Sequence, residues 1–196
     1  MGCLRLPVAR QPIWTVSGHL VGYEYLYRSQ QGLAVGVDGW VDAQQEAATA
    51  SVLATVYADG EPDGDLLTFV NVTRSFLVGE RPLPAPSGRL VLEVVESVRV
   101  DDDVLAGTDA LRAAGYLIAV DDYTACPSQM ALLRYADFVK VDLRDLHRLP
   151  PDGLADARRY GARLVAEYVS DLALARHATD LGFDLLQGDV LGAART

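Results

Sequence analysis

The chain has 196 residues, of which 50% are hydrophobic and 22% charged, and carries a formal net charge of −10. Length and composition predict one soluble globular domain, residues 1–196, and the acidic balance excludes a broad basic surface for nucleic-acid polymers. Cys3 and Cys126 lie far apart without a second CxxC-type element, which excludes a disulfide framework or zinc cluster and points to a reducing cytoplasm. Cys126 is expected to be a small buried filler. Met1-Gly2-Cys3 is followed at position six by Leu6 rather than Ser or Thr, and no apolar stretch is long enough to read as a signal peptide or membrane span.

Two extended runs, Ala9 to Val16 and His19 to Arg28, meet at Ser17-Gly18 and predict an antiparallel hairpin. Val41 to Ala58, rich in Ala and Gln, predicts a helix, and the acidic turn Asp59 to Asp65 leads into a strand ending at Asn71. Pro82, Pro84 and Pro86 make Gly79 to Gly88 a loop, because proline withholds a backbone donor. Beyond it strands and helices alternate, the connecting helical stretches being expected to run about twenty residues. Gly115, Gly161 and Gly182 each read as the left-handed residue closing a helix before an apolar run.

Runs such as LLTFV and YLIAV are continuously apolar, which favours parallel strands covered on both faces. An open doubly wound sheet is the rival, but no glycine-rich phosphate loop follows the first strand. The run ends then become informative: they carry Glu24, Asn71, Glu93, Asp121 with Asp122, Lys140, Glu167 and Gln187. Polar residues at successive strand ends are how a (β/α)8 TIM-like barrel builds a site on its C-terminal rim.

Two carboxylates about 4 Å apart repel by about 4 kcal/mol at an effective dielectric near 20, so a convergent set implies cations between them. Carboxylates with the amide oxygen of Asn71 suit Mg2+ or Mn2+, whereas His19, His147 and His177 fall outside the pattern and speak against zinc. Two such ions would suit phosphodiester hydrolysis, with Lys140 holding the attacking water and Arg28 gripping a phosphate. Each residue also has a plainer reading: Asp122 could cap a turn, Lys140 could pair with Asp142 or a rim carboxylate, and Gln187 could satisfy a backbone group.

The same residues carry a resemblance. Gln11-Pro12-Ile13, Val21 to Arg28, Asn71, Glu93 with Glu96, Asp121-Asp122, Lys140, Ala166-Glu167 and Gln187-Gly188 resemble, in order, the EAL domain of bacterial cyclic-di-GMP signalling. The resemblance implies a (β/α)8-type barrel with one antiparallel strand, and a Mg2+- or Mn2+-dependent phosphodiesterase, using two ions, that opens cyclic-di-GMP to linear pGpG. It further implies metal ligation by Glu24, Asn71, Glu93, Asp121, Asp122 and Glu167, catalysis through Lys140, Glu167 and Glu24, and substrate contacts from Gln11, Arg28 and Gln187. Glu96 resembles the acid that anchors the loop after the paired aspartates. A cytoplasmic homodimer with a signalling partner protein is also implied.

The chain departs from the family pattern in places. Glu-Ala-Leu is here Glu24-Tyr25-Leu26, the glycine-rich loop is Tyr123-Thr124-Ala125-Cys126, and the second glutamate of Ala-Glu-Gly-Val-Glu is Ser170. The short segment from Lys140 to Glu167 resembles EAL domains found with a modified HD domain. These departures keep two alternatives open: a degenerate domain that acts as a cyclic-di-GMP receptor, or a protein-interaction module.

Overall fold

The computed structural model describes residues 8–28, 42–60, 62 and 64–196. Met1-Gly2-Cys3 and Leu6, the first residue of the expected helix at Val41, and positions 61 and 63 of the acidic turn lie outside the described residues.

Eight strands close into a barrel in chain order: β1 Val8–Thr15, β2 Leu20–Tyr27, β3 Leu67–Val72, β4 Leu90–Val94, β5 Leu117–Val120, β6 Phe138–Asp142, β7 Arg163–Glu167 and β8 Leu185–Gln187. β1 runs antiparallel to both β2 and β8, and the other neighbours are parallel. The predicted barrel with one antiparallel strand is the observed fold. The reversal begins at the hairpin, where Gly18 takes φ 85° and the Thr15 amide donates to His19 O at 2.8 Å.

Helices α1 Asp42–Val56, α3 Asp102–Ala114 and α6 Leu172–Asp180 cover the barrel, together with three short helices: α2 Arg74–Leu77, α4 Pro127–Leu132 and α5 Gly153–Ala157. The expectation of helical stretches near twenty residues is therefore corrected. Pro82, Pro84 and Pro86 follow α2, Pro127 opens α4, and Pro150-Pro151 separates α5 from the 3-10 turn Leu146–Arg148. Proline cannot continue a helix, so these connections break into turns. α3 and α6 begin at aspartate caps: Asp101 accepts from Val104 N, and Asp171 from Ala173 N and Leu174 N. Gly115 and Gly182 end them as expected, but α5 ends at Ala157, capped by Arg158, and Gly161 closes the turn after it. No described helix is long and apolar enough to cross a membrane.

The barrel interior is layered, and the layering positions the site. Side chains alternate across a strand with period two, so Phe69 and Asn71, Val91 and Glu93, Ala119 and Asp121, Phe138 and Lys140, Val165 and Glu167, and Leu185 and Gln187 share one face of their strands. The first member of each pair, with Ile13, forms a buried apolar floor, in which Phe69 and Phe138 meet edge to face at 5.1 Å. The second member rises into the C-terminal mouth. β1 runs the other way, so its mouth residue, Gln11, lies two positions before Ile13 rather than after it. Gly22, two before Glu24, cannot be replaced: a Cβ there would lie 2.2 Å from Leu67 O. The outward faces pack with the helices in a second apolar layer that includes Val72, Phe76, Leu92, Val104, Ile118 and Leu164. Strands β4 and β6 are buried at all five positions, the charged Glu93, Lys140 and Asp142 included, as strands covered on both faces must be.

Candidate active site

Carboxylates from four strands converge on the ammonium of Lys140, which is 1% exposed. Its Nζ lies 3.3 Å from Glu24 Oε2, 2.9 Å from Glu93 Oε1, 3.2 Å from Asp121 Oδ1 and 3.0 Å from Glu167 Oε1. Of the two pairings considered for Lys140, the rim carboxylates are the observed one; Asp142 instead binds Arg144 through a fork. Asn71 Nδ2 donates to Glu24 Oε1 at 3.1 Å, while Gln187 Nε2 donates to Glu24 Oε2 at 2.5 Å and to Gln11 Oε1 at 3.3 Å. Gln187 is thus tied to side chains from β1 and β2. Arg28 follows β2, donates to Tyr27 O at 3.0 Å and lines the same cleft. Glu24, Asn71, Glu93, Asp121, Lys140, Glu167, Gln187 and Gln11 form one connected cluster.

The electrostatics are those of acids short of cations. Burial opposes ionisation of Glu24, but Lys140 and the hydrogen bonds from Gln187, Lys140 and Asn71 outweigh it and hold its carboxyl below the ordinary value. Glu93 goes the other way: burial and then the Glu24 charge push it well up. Burial also raises Asp121, and with the Asp121 and Glu24 charges it lifts Glu167 to about 8. Desolvation and the charges of Asp121 and Glu96 bring Asp122 to about 6. Burial disfavours the Lys140 charge, yet four surrounding carboxylates raise it well above the usual lysine value.

The donor set fits a divalent cation. Asn71 Oδ1 and Glu93 Oε2 are buried without a hydrogen-bond partner, and Glu93 Oε1 has the ammonium contact but no aligned hydrogen bond. Unpaired buried acceptors are costly and call for a ligand. Among the described residues, no three His, Cys, Asp or Glu side chains close on a common point as a ready-made metal cage, because the carboxylates turn toward the ammonium instead. Hard oxygen donors of this kind suit a hard divalent cation.

Asp122 and Glu96 stand at the edge of this cluster. Both are exposed, and with Asp121 they line a second pocket between β2, β3 and α1. Asp122 has left-handed backbone, φ 42°, as does Ala125 at 61°. The loop is braced by a residue that strand-end reasoning passed over. Gln129 on α4, 7% exposed, donates to Asp121 O at 3.1 Å and to Asp122 O at 2.8 Å. Its carbonyl oxygen accepts from Thr124 N at 2.9 Å and Thr124 Oγ1 at 3.2 Å. A polar residue seven or eight positions beyond the paired acids has no periodic signal to mark it. Asp142, by contrast, ends the run FVKVD and could have been found by the strand-end rule. The expectation for Cys126 is corrected: it is half-buried at the start of α4, in contact with Ser128 Oγ at 3.1 Å, because the loop turns outward there. The mouth opens as a cleft of about 420 Å³, within the size range of small-molecule sites.

Comparison with known proteins identifies relatives of this chain. The family profile described as "EAL domain" matches residues 68–194. The cyclic di-GMP phosphodiesterase CdgJ of Vibrio cholerae is 30% identical over 190 residues, covering 92% of this chain and 42% of that protein. The chain thus spans less than half the length of the curated relatives it matches. Among solved structures, Bacillus subtilis YkuI, a protein with an EAL domain in complex with substrate c-di-GMP and calcium, superposes with TM-score 0.76 at 24% identity, over 96% of this chain and 55% of that one. The PaMucR phosphodiesterase, in complex with c-di-GMP, gives TM-score 0.74 at 25% identity, over 97% and 92%. With its closed barrel, its polar strand ends and a profile match over well more than half its length, this chain belongs to the EAL domain family.

Proposed function

We propose that this chain hydrolyses cyclic-di-GMP to linear pGpG in a reaction that depends on Mg2+ or Mn2+, with two ions in the mouth. The observation that carries the reading is the gathering of four carboxylates around Lys140 beside the unpartnered oxygens of Asn71 and Glu93. CdgJ, a named cyclic di-GMP phosphodiesterase, and PaMucR, a phosphodiesterase in complex with c-di-GMP, support the choice of substrate.

Glu24, Asn71, Glu93, Asp121, Asp122 and Glu167 would hold the ions. When bound, they would lower the pKa of a water and neutralise charge on the phosphate oxygens. The chain's own groups do the rest. Arg28 grips a phosphate through its planar fork, and Gln11 and Gln187 orient the nucleotide. Lys140 donates to the attacking water oxygen, and a rim carboxylate, Glu167 or Glu24, takes the proton. The new P–O bond forms as the bond to the 3′ oxygen breaks, leaving a 5′ phosphate and a 3′ hydroxyl. Glu96 stays with the loop carrying Asp121 and Asp122. The 196 residues act as a single domain, and a cytoplasmic homodimer answering to a partner protein completes the proposal.

One observation favours the receptor reading instead: Asp122 and Ala125 hold left-handed backbone in a loop whose glycine positions are Thr124 and Cys126. Gln129 weighs against it, because four hydrogen bonds keep that loop in place. The test is incubation of pure protein with cyclic-di-GMP and Mg2+ or Mn2+, following pGpG, with Glu24→Ala as control. Product that disappears in the variant supports hydrolysis. Retained binding without product would leave the receptor.

A further inference from the structure

The residue after Glu167 is Tyr168, whose backbone is left-handed with φ 56°. Glycine enters that region freely, whereas a side chain enters it at a cost. The ring nevertheless does not go into the core: it remains 54% exposed and lines the cleft that also holds Lys140, Glu167 and Gln187. Burial therefore does not account for the strain.

The ring is held from behind. The guanidinium carbon of Arg144 lies 3.3 Å from the Tyr168 ring centroid, a stacked cation–π contact. Arg144 is itself fixed, because its Nε and Nη2 fork onto Asp142 Oδ2 at 3.0 and 2.6 Å, and its backbone amide donates to Asp142 Oδ1 at 2.8 Å. Asp142 is the last residue of β6 and is 7% exposed. A chain of contacts thus runs from the barrel wall through Asp142 and Arg144 to the aromatic ring. One face of that ring is taken by the guanidinium, and the rest stays open to the cleft. A flat ring fixed before any ligand arrives suits a flat ligand, since little ordering remains to be done on binding.

We propose that Tyr168, locked by Arg144 and Asp142, is a stacking wall that receives one purine base of the cyclic dinucleotide while the mouth residues hold its phosphates. The inference rests on the cyclic-di-GMP reading and adds to it a specificity residue that the strand-end pattern does not contain. Arg144 acts as a positioning residue, because it reaches the base only through the ring.

The experiment is calorimetry with cyclic-di-GMP in the presence of Ca2+, the ion present with that nucleotide in the YkuI complex. It uses the unsubstituted protein, Tyr168→Phe, Tyr168→Gly and Arg144→Met. Tyr168→Phe keeps the ring and binds within about twofold of the parent, whereas Tyr168→Gly binds about tenfold more weakly. Arg144→Met falls between them. Tyr168→Gly melts no lower than the parent, since glycine relieves the backbone. Equal affinity of parent and Tyr168→Gly would overturn the inference and leave the cyclic-di-GMP reading standing. A loss in Tyr168→Phe as large as in Tyr168→Gly would overturn stacking by assigning the contact to the hydroxyl. A parent that binds no cyclic-di-GMP would remove both.

Discussion

The floor of the barrel interior holds Phe69, Val91, Ala119, Phe138 and Leu185, and two residues further along the same strands the mouth holds Asn71, Glu93, Asp121, Lys140 and Gln187. Both layers are carried on the same strands with the same period. In the floor every contact serves packing, and no polar group is left over. In the mouth, burial raises Glu93, Asp121 and Glu167 against their charge, buried oxygens of Asn71, Glu93 and Gln187 lack hydrogen-bond partners, and Asp122 and Tyr168 adopt left-handed backbone. The difference teaches that the strands supply position to both layers, while the second layer gives up stability for chemistry.

The sharpest way to break that contrast is to change one residue in each layer. Lys140→Met should lower the rate of pGpG formation by about 10³-fold, while Phe69→Ala should leave the rate of folded protein nearly unchanged. Phe69→Ala should instead lower the unfolding free energy by about 3–5 kcal/mol, read by urea denaturation. A large activity loss in Phe69→Ala at full folding would erase the division between layers.

Metal removal sharpens the comparison further. In EDTA, Glu167 at about 8 and Asp122 at about 6 lie above their ordinary values of 4.5 and 3.8. The folded protein then holds more protons than the unfolded chain between those values. Stability should therefore fall as pH rises through that window and stay lower above it. Mg2+ or Mn2+ at about one hundred times its dissociation constant should restore about 2.7 kcal/mol. A melting temperature that ignores the metal at every pH would count against a formed site.

Smaller effects belong to the supports. Gln129→Leu leaves the Asp121 and Asp122 carbonyls without their donor and should cost about 1–3 kcal/mol, with metal affinity about tenfold weaker. Asp171→Ala removes the cap of α6 and should lower the melting temperature slightly. Asp171 and Asp101 are held below the ordinary 3.8 mainly by amide hydrogen bonds, from Leu174 and Val104. Their stabilisation is present above the unfolded pKa and is lost as pH falls through the lower folded value.

The barrel and most of the mouth were legible because they rest on local rules. Apolar runs that carry a polar residue near their end translate directly into buried strands with that residue in the mouth, as in the run RLVLEVVE around Glu93. Helix length was not legible, because Pro127 and Pro150-Pro151 act on connections whose length is set by the spacing of the strands they join. Nor were the roles of Gln129 and Arg144, which depend on distances between a loop and the element beside it. Cys126 was misjudged for the same reason, since residue type says nothing about which way a loop turns. Tyr168 could be noticed only as an aromatic residue after a strand, and its meaning comes from φ and from the Arg144 guanidinium stacked behind it.

The most direct test of the central claim is anomalous diffraction from crystals soaked in Mn2+. The account predicts two peaks, about 3.5–4 Å apart, within ligand distance of Asn71 Oδ1 and the carboxylates of Glu24, Glu93, Asp121, Asp122 and Glu167. A mouth without peaks at saturating Mn2+, with Lys140 still bound to all four carboxylates, would contradict it.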